Sequence, residues 1–354
     1  MYQNAYAQPS KPVKYRQGAD VERYAQASWY RGENCNFLAS KKNLMEPDAP
    51  EKYILKGWLP GKPLISRQSH IVAFGSCFAR HITEHLAKLG YKVGALASGL
   101  DTYIVRSGAG MVNTYAIRQQ FEWAYEDRKF SENLWYNSEK ALAPYNNEIK
   151  ENTRQLFDLA DIFIITLGLS EVWCNKQTGE VFWRAIPEDK FNPNIHGFRV
   201  TTVAENRENL EVIRAIIRKH KPESPIIFTL SPVPLVATFR PVSCSTANSV
   251  SKAILRSALD EFLRHNDHDD NLYYWPSYEI VTDFFVDAYL EDRRHIRPEV
   301  VKTIMNLFTK YYCVVEAYPS HPPGEDSPAH SDEWENFRLR NIGEVDRVTE
   351  PATR

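Results

Sequence analysis

Five short apolar runs, at 70–74, 91–96, 161–167, 225–230 and 272–275, punctuate the middle of this chain, and the stretches between them carry helical periodicity. Strands buried on both faces read as nearly continuous apolar runs, and parallel neighbours need a crossover of a dozen or more residues, usually a helix. The alternation therefore predicts an α/β sandwich, with helices on both faces of a mostly parallel sheet. Segment 171–202 breaks the rhythm. Its "VWCNKQTGEVFWRA" has the pattern of a hairpin turned at Thr178-Gly179. It is expected as an insertion at the carboxyl edge of the sheet, where such folds bind ligands.

Around this core the pattern thins. Residues 1–65 are rich in Tyr, Lys and Pro and lack sustained periodicity, which predicts an extension that wraps a domain spanning 66–315. After 316, "YPSHPPGEDSPAHSDEWENF" is Pro-rich and acidic and reads as a tail. No internal repeat is present. With 354 residues, 43% of them hydrophobic, the chain is long enough for one large domain with extensions. Lys plus Arg (43) nearly balance Asp plus Glu (45), and no long block of one sign occurs, so nucleic acid is not an expected partner. Cysteines 35, 77, 174, 244 and 313 are widely spaced and never form CxxC, a pattern that fits reduced thiols in a cytoplasmic protein. The polar start "MYQNAYAQPSKPVKYRQGAD" lacks a signal-peptide core, and no apolar run reaches membrane-spanning length, so no membrane partner is expected. Nothing in the residues specifies an oligomeric state.

The first strand leads into the chemistry. In "IVAFGSCFARHITEHLAKLG", at 71–90, an apolar run breaks at Gly75-Ser76 and continues as an amphipathic helix. Ser76 then stands where a strand becomes a helix. It either caps the helix, a role serine fills often, or serves as a nucleophile beside the free N–H groups of the first turn. Cys77 is a rival nucleophile, but cysteine is more often a small buried residue and no adjacent base activates it. The embedded His81-Ile82-Thr83-Glu84-His85 matches an inverted zinc-peptidase pattern. At about 100° per residue, however, Phe78, Ala79, Ile82, Leu86 and Leu89 share the core-facing arc. Glu84 and His81 fall on the solvated side with Arg80 and Lys88, and His85 at the margin. No metal is therefore expected.

Near the far end of the domain, "YLEDRRHIRPEV" places Asp292 three residues before His295, ahead of a helix entered through Pro298. A serine hydroxyl needs a base to take its proton, and that base needs an acceptor to fix its tautomer and stabilise the imidazolium. Asp-x-x-His in one short loop supplies both, provided that the loop reaches the first strand.

The string Gly75-Ser76-Cys77-Phe78-Ala79 resembles the signature of the GSCFA family, and the resemblance runs from about 70 to 312. It includes "NTYAI" at 113–117, "TLGLSEVW" at 166–173, "LSPVPLVATF" at 230–239, "SK" and "LR" within 251–256, "PSYEI" at 276–280 and "DRRH" at 292–295. That family is similar to the SGNH (GDSL-like) hydrolases. The resemblance implies a flavodoxin-like three-layer α/β/α sandwich in which Ser76 attacks an ester carbonyl, His295 acts as base and then acid, and Asp292 orients it. It implies oxyanion donors at Ser76, Gly110 and Asn113. In the third block Gly168 matches the family glycine, but Ser170, followed by Glu171, stands where the related hydrolases carry asparagine. Asn113 or the Ser170 hydroxyl is the expected substitute. No metal or organic cofactor is implied.

Other residues divide between site and scaffold. Glu171 is either a substrate contact or a structural carboxylate. Trp173, Trp183 and His196 either stack on a sugar ring or form a local mini-core. Ser231 and Thr238 follow a strand, where Pro-rich loops usually shape backbone. Asn248 and Lys252 are expected at the opening of a helix, capping it or solvated. Arg293, Arg294 and Arg297 flank the Asp-x-x-His loop without establishing an anionic substrate. The expected function is a serine-dependent acyl-ester hydrolase or O-acyltransferase acting on acyl esters of carbohydrate or a related polyol, its partner a small-molecule or glycan ester. The alternative is a non-catalytic binding or assembly protein that keeps the fold and cleft.

Overall fold

The computed structural model describes residues 36–94, 99–104, 111–137 and 140–314, and the backbone of an antiparallel pair, β1 (Val13–Arg16) and β2 (Glu22–Ala25). Among the described residues the central sheet comprises β3 (His70–Gly75), β4 (Lys92–Val93), β5 (Ile162–Leu167), β8 (Ile226–Leu230) and β9 (Leu272–Trp275). Their order is β4-β3-β5-β8-β9 and every pairing is parallel. The chain thus starts near the centre, moves one strand outward, then crosses back to run to the other edge. This is the flavodoxin-like order, and its switch point lies between β3 and β5.

Period-two alternation divides the strands between two cores. Val72, Phe74, Phe163, Ile165, Leu167, Phe228 and Leu230 face one side, where they meet helices α3 (Thr114–Tyr125), α4 (Asn147–Leu159), α5 (Val203–His220) and α6 (Cys244–His265). Ile71, Ala73, Ile162, Ile164, Ile227 and Trp275 face the other, against α2 (Cys77–Lys88) and α7 (Pro298–Tyr312). Both faces are covered, as a parallel sheet requires, and each large apolar side chain so buried contributes about 1.5–3 kcal/mol. The result is the expected three-layer α/β/α sandwich.

Within α2, Phe78, Ala79, Ile82 and Leu86 are buried, as the helical arc predicts. Leu89 departs from that expectation. It is 39% exposed because the helix stops at Lys88, leaving Leu89 as the C-cap and outside the 3.6-residue rotation. The run at 91–96 yields only the two residues of β4, and 95–98 lie outside the described residues.

The 171–202 segment does turn at Gly179, which has φ of 74°, and Asn175 N–H donates to the Glu180 carbonyl across the turn. The main ladder differs from the expected hairpin: β6 (Glu171–Asn175) pairs antiparallel with β7 (His196–Val200), while a bridge from Cys174 to Val181 forms on its other edge. The central strand of this small sheet is therefore β6. Upstream, α1 (Lys41–Leu44) leads to Ala49, Leu55 and Ile65, which enter the same core as α2 and α7. Ile65 bridges Cys313 in parallel. Among the described residues no helix is long and apolar enough to cross a membrane, and Cys174, Cys244 and Cys313 are free thiols.

Candidate active site at the carboxyl edge of the sheet

Gly75 ends β3 with φ of 134°, a conformation open to glycine but strained for other residues. It lies opposite Thr166 in the β3–β5 ladder, and a Cβ at Gly75 would sit 2.0 Å from the Thr166 carbonyl oxygen. Glycine thus allows the close approach that delivers Ser76 to the mouth between the two strands. Ser76 is the N-cap of α2, and its Oγ accepts a hydrogen bond from the Phe78 N–H at 3.1 Å. The hydroxyl is largely buried, the residue being 5% exposed. The capping role is therefore observed, and it leaves the hydroxyl beside the free end of the helix dipole.

Asp292 and His295 lie in a loop closed by a bridge between Tyr289 and Ile296. Asp292 Oδ1 accepts from the N–H groups of Arg294 and His295, both at 3.0 Å, and the chain passes through Arg293 at φ of 54°. The other carboxylate oxygen, Oδ2, meets Nδ1 of His295. The His295 N–H, the His295 ring and the Arg294 N–H together hold the Asp292 carboxyl down at about 2. Among the described residues Nε2 of His295 has no hydrogen-bond partner, and the side chain is 63% exposed.

This loop packs on the same side of the sheet as α2. Ala288 and Ile296 are buried in the same core as Phe78 and Ile82. On α2, burial lowers the His81 pKa, opposed by the charge of Glu84 and assisted by those of Arg80 and His295. Tyr289 donates its hydroxyl to the Pro232 carbonyl at 2.9 Å, tethering the loop to the chain leaving β8. Ser76 and His295 nevertheless share no hydrogen bond.

The other expected donors are distributed unevenly. Gly110 lies outside the described residues. Asn113 caps α3, and its Oδ1 accepts from the Ala116 N–H at 2.8 Å. The Val112 carbonyl accepts from the N–H groups of Gly168 and Leu169, at 2.7 and 3.2 Å, so the start of α3 lies against the end of β5. There Ser170 is fully buried. Its N–H donates to Ser251 Oγ at 2.8 Å, while its own hydroxyl has no partner. The Thr166 hydroxyl, one rung from Ser76, is likewise buried without a partner.

Glu171 is buried and accepts from the Thr238 hydroxyl at 2.8 and 3.0 Å, with Arg240 4.0 Å away. Trp173 is half-buried among Phe191, Phe198 and Phe239, at ring separations of 5.7, 5.3 and 4.8 Å, and Phe239 is 57% exposed. Trp183 and His196 belong to the scaffold: Trp183 is buried and donates to Gln119 at 2.7 Å, and His196 is buried with its ring against Phe182. Ser231 Oγ accepts from the Val233 N–H, shaping its loop.

The metal pattern disperses on the helix. His85 meets Thr309 of α7 at 2.9 Å, and Glu84 pairs with Arg80. Among the described residues no group of three or more His, Cys, Asp or Glu is arranged to hold a metal ion.

Two residues correct the sequence reading. The helix expected to open near Asn248 and Lys252 begins at Cys244, capped by Ser243, and Asn248 Oδ1 accepts from the Leu235 N–H. Lys252 is not solvated. It is 2% exposed, and its Nζ donates to the carbonyls of Gly168 and Ser231, both at 2.7 Å. The "SK" block at 251–252 was the available signal, whereas Tyr289 had none.

Among solved structures the chain is similar to an acetyl xylan esterase, Est2A, from the rumen bacterium Butyrivibrio proteoclasticus. The identity is 13% and the TM-score 0.25, over 70% of this chain and 65% of that one, so the chain spans less than two thirds of that enzyme. No curated protein matches. The GSCFA family model matches residues 70–308, and the chain, with its Gly75-to-Ala79 signature at the end of the first sheet strand, belongs to the GSCFA family.

Proposed function

We propose that this protein is a serine-dependent acyl-ester hydrolase or O-acyltransferase, acting on acyl esters of carbohydrate or a related polyol through an acyl-serine intermediate. The observation that supports the reading is Ser76 directly after the switch-point strand, together with an Asp292–His295 pair whose loop is anchored in the same core as α2 and whose Nε2 has no partner among the described residues. In this reading Ser76 turns from its cap bond toward His295, which takes its proton as the oxygen attacks the ester carbonyl. Asp292 already sets the tautomer with Nδ1 protonated and offsets the imidazolium charge. In this reading the tetrahedral oxyanion is met by first-turn N–H groups of α2, and Ser170 and Asn113 are assigned as further donors that a bound substrate would have to uncover or reach. His295 returns the proton to the leaving alcohol, and water or an acceptor hydroxyl then releases the acyl group. Glu171 and Trp173, on β6 directly after the β5 turn, are assigned to substrate contact, and the aromatic cluster around Trp173 offers faces for a sugar ring.

The test is hydrolysis of p-nitrophenyl acetate and labelling by a fluorophosphonate with peptide mapping. Labelling at Ser76, lost in Ser76→Ala and slowed in His295→Ala, is the expected result; undiminished turnover in both variants overturns the reading. One observation favours a second reading, a binding or assembly protein: the Ser76 hydroxyl is held by Phe78 and makes no hydrogen bond to His295. That reading predicts no labelling at all.

A further inference from the structure

Lys252 is the one described lysine in the buried polar set, and no carboxylate pairs with it. Taking an amino group out of water without a counter-charge is costly, and a methionine would fill the same space without that cost. What the lysine does that an apolar side chain cannot is donate two hydrogen bonds, and both acceptors lie at the carboxyl edge. The Gly168 carbonyl belongs to the peptide whose N–H, on Leu169, donates to Val112 directly before Asn113. Ser251, the preceding residue on α6, receives the Ser170 N–H. The second acceptor, the Ser231 carbonyl, belongs to the peptide leading into Pro232, whose own carbonyl receives the Tyr289 hydroxyl. Tyr289 opens the loop of Asp292 and His295.

A single buried amine therefore lies at the junction of two hydrogen-bonded chains. One leads to the segment of Asn113 and Ser170, the other to the loop of Asp292 and His295. We propose that Lys252 is the positioning residue of the carboxyl-edge site, fixing the Gly168–Ser170 turn and, through Ser231-Pro232 and Tyr289, the Asp292–His295 loop relative to each other. Its catalytic consequence rests on the acyl-transfer reading; its structural consequence does not. Either protonation state of the amine retains at least two N–H donors, so the positioning does not need the charge.

The experiment compares wild type with Lys252→Met by amide hydrogen exchange and by p-nitrophenyl acetate kinetics, at a temperature where both are folded. Exchange in peptides covering 168–171 and 288–297 is expected to accelerate tenfold or more together, while the strands keep their protection. With turnover present, kcat is expected to fall about tenfold to a hundredfold with KM within about twofold, because a misplaced donor or base costs transition-state rather than ground-state binding. Unchanged exchange in either segment, or unchanged kcat in an active enzyme, overturns the proposal. A wild type that is inert yet shows coupled loosening in Lys252→Met sinks the acyl-transfer reading and leaves the positioning role standing. Should Lys252→Met fail to fold, Tyr289→Phe decides: faster exchange at 288–297 supports the tether, and wild-type exchange there removes it.

Discussion

Gly75 and Thr166 meet so closely across the neighbouring strands β3 and β5 that a methyl group on Gly75 would lie 2.0 Å from the Thr166 carbonyl oxygen. Because that carbonyl is main chain inside a ladder, nothing can swing aside. Gly75→Ala adds the strain of a φ of 134° to the clash. We expect it to lower unfolding stability by on the order of 2–4 kcal/mol, or to prevent folding. Denaturant unfolding of the purified variant checks this, and a wild-type midpoint refutes it.

Ser76→Ala separates cap from nucleophile. Loss of the hydrogen bond to Phe78 costs about 1 kcal/mol of stability, seen as a modest drop in Tm. Acyl transfer is expected to fall by about a thousandfold or more. A variant that shows the first change without the second identifies Ser76 as a cap alone.

The Asp292 carboxyl is lowered from 3.8 to about 2 by the N–H groups and ring of its loop. A depressed carboxyl binds its proton less readily when folded, so its contribution to loop order is full above the unfolded value. That contribution is lost as pH falls through about 2. The expected side-chain titration, followed by carboxyl carbon NMR, has its midpoint near 2, and a midpoint near 4 disproves the network. At neutral pH Asp292→Asn should reduce turnover by about a thousandfold or more, through the wrong imidazole tautomer.

Burial pushes Lys252 down from 10.5 to about 7. Between those values the unfolded chain holds a proton that the folded chain does not, so stability rises with pH across the window. Below about 7 both states are protonated and the penalty is complete. The difference in unfolding free energy between wild type and Lys252→Met should therefore shift in favour of wild type from pH 7 to 10. A difference that is flat with pH contradicts the assignment.

Trp173→Ala tests the aromatic cluster on β6. KM for an acetylated oligosaccharide should rise about tenfold, while p-nitrophenyl acetate, which lacks a sugar ring, should change less than about twofold. Equal effects on both substrates would place Trp173 in the scaffold.

How much of this was legible in the chain follows from how local each signal is. Runs such as 161–167 announce β5 because a strand covered on both faces must be apolar throughout. The Gly75-Ser76 break and the Asp292-to-His295 spacing are likewise short-range patterns, the first falling at the end of β3 and the second in the loop before α7. Leu89 was misplaced because a helical arc says nothing of where the helix stops. The partner of β6 was mistaken because Thr178-Gly179 advertises a turn, whereas pairing with 196–200 depends on a later segment. Lys252 was hidden most deeply: a lysine on a helix ordinarily faces water, and only the assembled sheet supplies the two carbonyls that hold it inside.

The parallel bridge between Ile65 and Cys313 ties the segment leading into β3 to the end of α7. Leu64 and Ile65 both donate to the Tyr312 carbonyl, and Val314 donates back to Ile65, so each segment secures the other. An excised domain cut at 66 would leave those backbone groups open at the foot of α7, whose first turn follows the His295 loop by two residues. For a protein engineer, the useful seams lie outside this clasp: a start no later than the Ala49 region and a stop no earlier than Val314.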